Sequence, residues 1–425
     1  MKIVGIITEY NPFHNGHKYH IEEAKRITGA DYCIAVMSGN FVQRGAPAII
    51  DKYNRTRMAL NNGVDLVLEL PTCFATASAE YFALGAVSLL NKLGVVDYLC
   101  FGSEWGDIEL LKVAANLIAE EADCYKELLI SYIKEGLTYP AARAKAMEGY
   151  LNSHNNTYDR DAINQLLSEP NNILGIEYIK AINRISSDII PVTIQRKSAH
   201  YHDRYEEKNS QLSPITSATA LRDLIETSLN ADDLIKAKES IPEDVYQFLR
   251  LNYKVSYPIN EEDFNQILIY KLLSESNESL TRYLDISRDM ADRIMNILDY
   301  KSSYLNLIQN IKTKNLTLTR INRALIHVLL NITKDIFQNN LANGYVPYAR
   351  VLGLRKTSSH IIREIDKQGN IPVIRKVSKA IKQLDDNSIT MLQEDIFAAH
   401  IYNQAVYHKF KTPIPNEYQH EIVII

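Results

Sequence analysis

Cysteine and tryptophan are scarce in this chain, which has 425 residues but only four cysteines and one tryptophan. Cys33, Cys73, Cys100 and Cys124 are far apart, and no two form the close pair that a zinc site or a redox motif requires. The spacing therefore argues against both kinds of site. It predicts four buried, apolar thiols in a reducing cytosol.

Long apolar runs are also missing. No stretch approaches the roughly 18 uninterrupted apolar residues that a membrane span needs. The first apolar run ends at Glu9, which makes it too short for a signal peptide. We therefore expect a cytoplasmic protein that does not contact a membrane, and the sequence alone identifies no protein partner.

Acidic residues are rare between Lys301 and Gln383, although the whole chain carries a formal net charge of -4. This segment contains Asp335, Glu364 and Asp366 against fifteen lysines and arginines. Clustered basic residues bind phosphates with release of counterions, and tyrosines can stack on unpaired bases. The imbalance favours RNA binding over the alternative, a solvated helical face. The first candidates for RNA contacts are Tyr345, Tyr348, Arg350, Arg355 and Lys356.

The first hundred residues alternate short β-branched runs with amphipathic stretches. This alternation predicts βα units and a parallel sheet that is covered on both faces, and therefore an α/β fold. Strands are predicted at 3–8, 32–38, 64–70, 96–101 and 189–195, and helices at 17–28, 51–61, 78–93 and from Ser217.

The pattern becomes helical after Glu104, which predicts a helical insertion before the strand at 189–195. We predict a nucleotide-binding domain at 1–226, followed by a mainly α-helical, basic domain at 227–425. The second domain is predicted to contain a helix over 316–339 and short strands at 371–374 and 422–425.

His14, Asn15, Gly16 and His17 follow the first strand and open a helix. Chemistry at the α-phosphate of ATP builds negative charge, which fixed hydrogen-bond donors stabilise. Two imidazoles one turn apart supply such donors, while glycine permits close approach and the helix N-terminus adds free N–H groups. A single histidine here would more often cap the helix or pack. The pair in this context favours catalytic roles for His14 and His17.

A second motif lies between Thr216 and Arg222. Ser217 and Thr219 place hydroxyls at a helix N-terminus, and Arg222 lies one turn further on, which suits binding of the β- and γ-phosphates. The alternative is a serine cap followed by a surface arginine. The segment resembles the I-S-S-T-x-I-R motif of the nucleotidyltransferase superfamily, with Ala218 in place of a serine.

Five segments together resemble the bacterial tRNA(Met) cytidine acetate ligase family, within the HxGH nucleotidyltransferase superfamily. They are TEYNPFHNGH at 8–17, MSGNFVQRG at 37–45, FGSE at 101–104, PNNILGIEY at 170–178 and VPYARVLG at 346–353. The resemblance covers nearly all of the first domain and is thinner in the second.

The resemblance implies a Rossmann-like (HUP) fold and an ATP-dependent enzyme. Such an enzyme would activate acetate as acetyl-adenylate with release of pyrophosphate, and then acetylate N4 of the wobble cytidine of elongator tRNA(Met). It would need no acetyl-CoA and no structural metal, and Mg²⁺ would arrive with ATP. The ATP contacts of the family correspond to Ile7, Thr8, Glu9, Tyr10, Asn11, Pro12, Phe13, His14, Asn15, Gly16, His17, His20, Gly102, Asn171, Asn172 and Arg196.

Three further groups of polar residues are candidates for contacts in the site or for structural roles. Ser38, Asn40 and Arg44 come after the second strand, at the edge where parallel sheets bind ligands, so they are candidates to contact acetate, phosphate or the target base. The alternative is a polar loop. Asp51 is expected to cap the next helix, with Lys52 and Arg55 as solvated charges. His200 and His202 lack a third ligand nearby, and surface or substrate-facing roles are expected for them.

Two other functions fit part of the sequence. A small-molecule adenylyltransferase of the same superfamily would use every ATP residue but would leave the basic C-terminal part without a role. A non-catalytic, ATP-sensing RNA-binding protein would not need the intact His14 and His17.

Overall fold

A computed structural model describes residues 1–120, 123–137, 139–153, 160–196, 216–313 and 316–425. His200 and His202, for which surface or substrate-facing roles are expected, lie outside these ranges. The strands of the described residues are β1 (Ile3–Thr8), β2 (Tyr32–Ser38), β3 (Phe41–Val42), β4 (Ala46–Pro47), β5 (Leu66–Leu70), β6 (Tyr98–Ser103), β7 (Ile190–Gln195), β8 (Ala349–Leu354), β9 (Val373–Ile374) and β10 (Val423–Ile424).

Helices make up most of the rest of the described chain, together with short 3-10 helices at Ala231–Ser240, Glu261–Phe264 and Lys356–Ser358. The α-helices are α1 (Asn15–Thr28), α2 (Lys52–Asn61), α3 (Thr72–Ala75), α4 (Ala79–Lys92), α5 (Ile108–Glu120), α6 (Asp123–Lys134), α7 (Tyr139–Ser153), α8 (Arg160–Ser168), α9 (Pro170–Arg184), α10 (Ala218–Thr227), α11 (Glu243–Asn252), α12 (Asn265–Leu273), α13 (Asn277–Leu280), α14 (Arg288–Ile297), α15 (Tyr304–Ile311), α16 (Leu318–Leu329), α17 (Lys334–Ala342), α18 (His360–Gln368), α19 (Val377–Ala380) and α20 (Asp386–Phe410).

The main sheet has the order β10-β8-β5-β2-β1-β6-β7, with β9 beside β8. The five strands from β5 to β7 are parallel. From β1 the chain first extends the sheet through β2 to β5 and later, on the other side, through β6 to β7. Open parallel sheets bind ligands at the carboxyl ends of strands where the order reverses in this way. Helices α5 to α9 form the predicted insertion between β6 and β7.

Both faces of the sheet are covered, which explains the continuously apolar strands. In β2, Ile34 and Val36 point into a core shared with α4 and α9. Cys33, Ala35 and Met37 point into the opposite core, shared with α1, α2 and α10. The alternation follows from the two-residue period of a strand. The α/β fold with a parallel sheet is therefore confirmed.

The C-terminal part of the chain returns to the sheet. Strand β8 lies antiparallel to β5, with Glu69 opposite Arg350 and Leu66 opposite Leu354. Strands β9 and β10 pair with β8. The segment 227–425 is mainly helical, as predicted, but the sheet crosses the predicted boundary at residue 226. The main sheet therefore contains strands from both sides of residue 226.

Two smaller expectations were wrong. The helix predicted over 316–339 is interrupted between α16 and α17, where Asn331 has a left-handed backbone with φ of 59°. Cys33, Cys73 and Cys100 are buried as predicted, but Cys124 on α6 is exposed.

Among the described residues, no helix combines the length and apolar character needed to cross a membrane.

Candidate active site

The loop after β1 places two histidines side by side at the N-terminus of α1. His14 is the N-cap residue, and its Nδ1 accepts a hydrogen bond from the backbone N–H of Gly16 at 3.0 Å. Nδ1 of His17 accepts one from the backbone N–H of His14 at 3.2 Å. The two rings are stacked, with centroids 3.7 Å apart. Because each Nδ1 is an acceptor, each neutral ring carries its proton on Nε2 and can donate from there.

Burial keeps the histidines of this loop neutral. It lowers the pKa of His14 to about 3, helped by the positive charges of Arg196 and Arg222. Burial, again with Arg196, lowers the pKa of His20 to about 4. The pKa of His17 is also well below its usual value, because of burial and the neighbouring charges. At neutral pH all three rings are therefore hydrogen-bond donors without a charge of their own.

The second predicted motif meets the histidine loop in space. Ser217 caps α10, and its hydroxyl accepts a hydrogen bond from the backbone N–H of Ala220 at 3.1 Å. Arg222 donates through Nη1 to the backbone carbonyl of Asn11 at 2.7 Å and through Nη2 to the hydroxyl of Thr219 at 3.0 Å. Arg222 is thus fixed against the loop, and the structure brings the two motifs together.

The carboxyl end of β6 forms another wall of the site. A Cβ atom on Gly102 would lie 3.3 Å from Cγ of Arg196, so a larger residue would narrow the space there. Glu104 accepts hydrogen bonds from the side chain of Asn171 at 2.5 Å and from the backbone N–H of Asn172 at 3.0 Å. Asn172 is fully buried. It therefore supports this turn and cannot contact a nucleotide, which corrects the prediction.

A cleft of about 460 Å³ opens where these elements meet. A smaller adjoining cavity of about 90 Å³ surrounds the histidine pair. The predicted ATP residues that line one or both are Ile7, Thr8, Glu9, Tyr10, Asn11, His14, Gly16, His17, His20, Gly102, Asn171, Arg196, Ser217 and Arg222. The structure thus gathers most of the predicted set around one cleft.

Four further predicted ATP residues line neither cavity. Pro12 and Phe13 are buried beneath the loop. The side chain of Asn15 donates to the backbone carbonyl of Glu239 at 2.8 Å, and Thr219 accepts from Arg222. These residues shape the loop and its surroundings, and direct contact with ATP is not supported for them.

The polar residues after β2 differ in their exposure. Ser38 and Asn40 are buried, and the side-chain oxygen of Asn40 accepts a hydrogen bond from the backbone N–H of Lys52 at 2.8 Å. Neither can contact acetate, phosphate or a base, so the prediction for these two residues was wrong. Arg44 is exposed and lines the cleft.

Arg55 and Lys52 are buried as well, contrary to the solvated charges that were expected. The guanidinium of Arg55 donates to the backbone carbonyls of Ile50, Glu9, Ser38 and Gly39. Three of these carbonyls lie at the carboxyl ends of β1 and β2. Arg55 therefore holds the two strand ends that support the cleft. Asp51 caps α2 as predicted.

Two of the predicted RNA contacts belong to the core. Arg350 forms ion pairs with Glu69 at 3.1 Å and with Glu417, and the same two carboxylates pair with Lys52 at 2.8 Å. The hydroxyl of Tyr348 donates to Asp395 at 2.7 Å. Because Tyr348 and Arg350 are buried, RNA cannot reach them, and the prediction is corrected.

Arg355 and Lys356 lie away from the cleft. Arg355 and Lys356 follow β8, which runs antiparallel to β5. They are therefore at the amino ends of the parallel strands, whereas the cleft is at the carboxyl ends. Lys356 is exposed, while Arg355 and Tyr345 are partly buried.

The sequence interpretation missed residues that α16 contributes to the cleft. Thr319 and Arg323 line it, together with Gln43 from the loop after β3. Nε of Arg323 donates to Asp285 at 2.8 Å, which holds its guanidinium. Arg323 was noticed only as one charge of the basic segment. Nothing in the local sequence indicates that α16 reaches the cleft.

The fold and the site define a class of protein, a nucleotide-binding domain built on a parallel sheet. Two neutral histidines and Arg222, on the helix that Ser217 caps, face one cleft in it. The family model of the HIGH nucleotidyl transferases matches residues 1–416. The tRNA(Met) cytidine acetate ligase of Halothermothrix orenii is 41% identical over 95% of this chain and 94% of that protein. The ligase of Clostridium perfringens is 43% identical over 95% of each. The chain belongs to the tRNA(Met) cytidine acetate ligase family.

A solved structure agrees with this assignment. The crystal structure of Thermotoga maritima TmcAL bound with alpha-thio ATP has a TM-score of 0.88 and 30% sequence identity, covering 100% of this chain and 99% of that one. The apo form of the same protein gives the same TM-score.

Proposed function

We infer that this protein is an ATP-dependent ligase that activates acetate as acetyl-adenylate and acetylates N4 of the wobble cytidine of elongator tRNA(Met). Family membership and the names of the relatives support this inference. The observation that carries it is the pair of neutral, stacked histidines at one cleft with Arg222. This arrangement suits chemistry at the α-phosphate of ATP.

In the first step, an acetate oxygen attacks the α-phosphorus and pyrophosphate leaves. Negative charge grows on the α-phosphate oxygens, and the Nε2–H groups of His14 and His17 would stabilise it without reorganising, because their Nδ1 atoms are already fixed. Arg222 and Arg196 would bind the other phosphates, together with the free N–H groups at the start of α10.

Mg²⁺ would accompany the triphosphate. Within the described ranges, no group of three or more His, Cys, Asp or Glu side chains is arranged to hold a metal. The ion would therefore be held mainly by phosphate oxygens and water, with Glu9 as a carboxylate of the cleft lining. The acetyl group would come from acetate, so the reaction would use no acetyl-CoA.

The second step requires tRNA and, with it, a cytoplasmic location. The basic segment between Lys301 and Gln383 is the proposed tRNA-binding region. Exposed Lys356, with Arg355, would contact a part of the tRNA away from the target base, because both lie at the opposite edge of the sheet from the cleft.

The test is an incubation of the protein with ATP, Mg²⁺, radiolabelled acetate and unmodified tRNA, followed by nucleoside analysis. Label in N4-acetylcytidine that needs ATP and does not need acetyl-CoA is the expected result. His14→Ala and His17→Ala should abolish acetate-dependent exchange of pyrophosphate into ATP and leave tRNA affinity unchanged. Pyrophosphate release that does not depend on acetate would instead favour a small-molecule adenylyltransferase.

A further inference from the structure

A second cavity of about 210 Å³ adjoins the catalytic cleft. The two cavities share Glu9, Asn11, Arg44 and Arg222 in their linings. We call the second one the side pocket. It is smaller than the roughly 300–1,000 Å³ of sites for drug-sized ligands. Its size therefore suits one small ring.

The side pocket has an apolar lining and a polar rim. Its apolar part is buried and consists of Val42, Pro47, Ile49 and Ile259. An apolar lining suits an aromatic ring, as in pockets that receive a nucleobase flipped out of its stack.

Acceptors for hydrogen bonds dominate the rest of the lining. Glu226 is exposed at the rim, and Glu261 is partly buried. Burial raises the pKa of Glu261 above its usual value, which makes its carboxylate a better proton acceptor. The amide oxygen of Asn322, another lining residue, is buried and has no hydrogen-bond partner among the described residues. A ligand that binds in the side pocket should therefore carry a hydrogen-bond donor.

The charges of the lining indicate which substrate the side pocket can bind. Three carboxylates, those of Glu9, Glu226 and Glu261, face two guanidinium groups, those of Arg44 and Arg222. This balance repels an anion such as acetate. Cytosine is neutral, donates from its N4 amino group and accepts at N3 and O2. Glutamate is a common partner for cytosine N4, and arginine can donate to the two acceptors.

We propose that the side pocket receives the target cytosine of the RNA, with Glu261 accepting from N4 and Arg44 donating to N3 and O2. The proposal rests on the proposed function. From this pocket, N4 attacks the carbonyl carbon of acetyl-adenylate in the adjoining cleft. The new C–N bond forms as the C–O bond to the adenylate breaks, AMP leaves, and the N4 proton passes to Glu261.

The test compares two RNA hairpins of the anticodon arm that differ only in cytidine or uridine at the target position. Uridine carries an oxygen in place of the N4 amino group, so a carboxylate repels it. The wild-type protein should bind the cytidine hairpin about tenfold or more tightly than the uridine hairpin. Glu261→Gln should lose this difference and acetylate tRNA at least tenfold more slowly. Its acetate-dependent pyrophosphate exchange should stay within twofold of the wild type.

The matched control is Glu278→Gln, an exposed carboxylate outside both cavities, which should behave as the wild type. Full cytidine preference in Glu261→Gln would overturn the proposal. A raised KM for acetate in Glu261→Gln, or loss of its pyrophosphate exchange, would mean that the side pocket serves the activation of acetate. Either result would also overturn the proposal. If the wild type itself shows no acetate-dependent exchange, the proposed function fails.

Discussion

Replacing Arg55 with methionine should loosen the ends of the two strands that support the cleft. Four backbone carbonyls accept hydrogen bonds from this one buried guanidinium, including that of Glu9 at 2.5 Å and that of Ser38 at 3.1 Å. Methionine fills a similar volume but donates nothing. The carbonyls of Ile50, Ser38 and Gly39 would then lack their partner in the buried interior.

The magnitude follows from two opposing effects. Each hydrogen bond from a charged donor contributes about 1.5–3 kcal/mol, and four are lost. Removing the cation also removes its desolvation cost of several kcal/mol. We therefore expect Arg55→Met to lower the free energy of unfolding by ~3–5 kcal/mol, as the difference between these two effects.

Urea unfolding measures this change, and Arg57→Met is the matched control. Arg57 lies on the same helix but is exposed, so its replacement should change the free energy of unfolding by less than about 0.5 kcal/mol. At a temperature where Arg55→Met is folded, its affinity for ATP should also fall. A loss of less than about 1 kcal/mol for Arg55→Met would refute the argument that this side chain holds the site together.

Three further outcomes are expected. Because the pKa of His14 in the folded protein is about 3, below its ordinary value near 6.5, protons favour the unfolded chain. The free energy of unfolding should thus decrease as the pH falls from about 6.5 towards 3, less steeply in His14→Gln, as urea unfolding at several pH values will show. Glu417→Gln leaves Lys52 without one of its two buried carboxylate partners and should cost ~3–5 kcal/mol in the same assay. Gly102→Val should weaken ATP binding at least tenfold in calorimetric titration, because the new side chain meets Arg196, while the midpoint of thermal unfolding changes little.

Local patterns sufficed to predict most of the parallel sheet. Strands β1 and β2 have the predicted bounds, and β5 and β6 begin two residues later than predicted. Buried parallel strands are continuously apolar, so composition alone marks them. Strand β8 was missed because its pairing with β5 depends on residues distant in sequence. No local signal distinguishes such a strand from a buried loop.

The same limit applies to the site. His14, His17 and Arg222 were predicted because each lies in a motif at a helix start, where the chemistry is local. Exposure is a property of the whole fold, and sequence reasoning therefore misjudged Arg55 and Arg350, both of which are buried. A charged residue within an otherwise apolar run, as Arg350 is in β8, is the signal that indicates a buried ion pair.

The late pairing of β8 with β5 also affects how the protein folds while it is being synthesised. While the protein is being synthesised, the outer edge of β5 stays unpaired until β8 has left the ribosome, most of the chain later. At about 5–20 residues per second this interval lasts roughly 15–60 s. An apolar strand with an open edge invites pairing with other chains during that time. The nascent protein should therefore depend on chaperones more than its finished fold suggests, and a fragment that ends at residue 226 should aggregate.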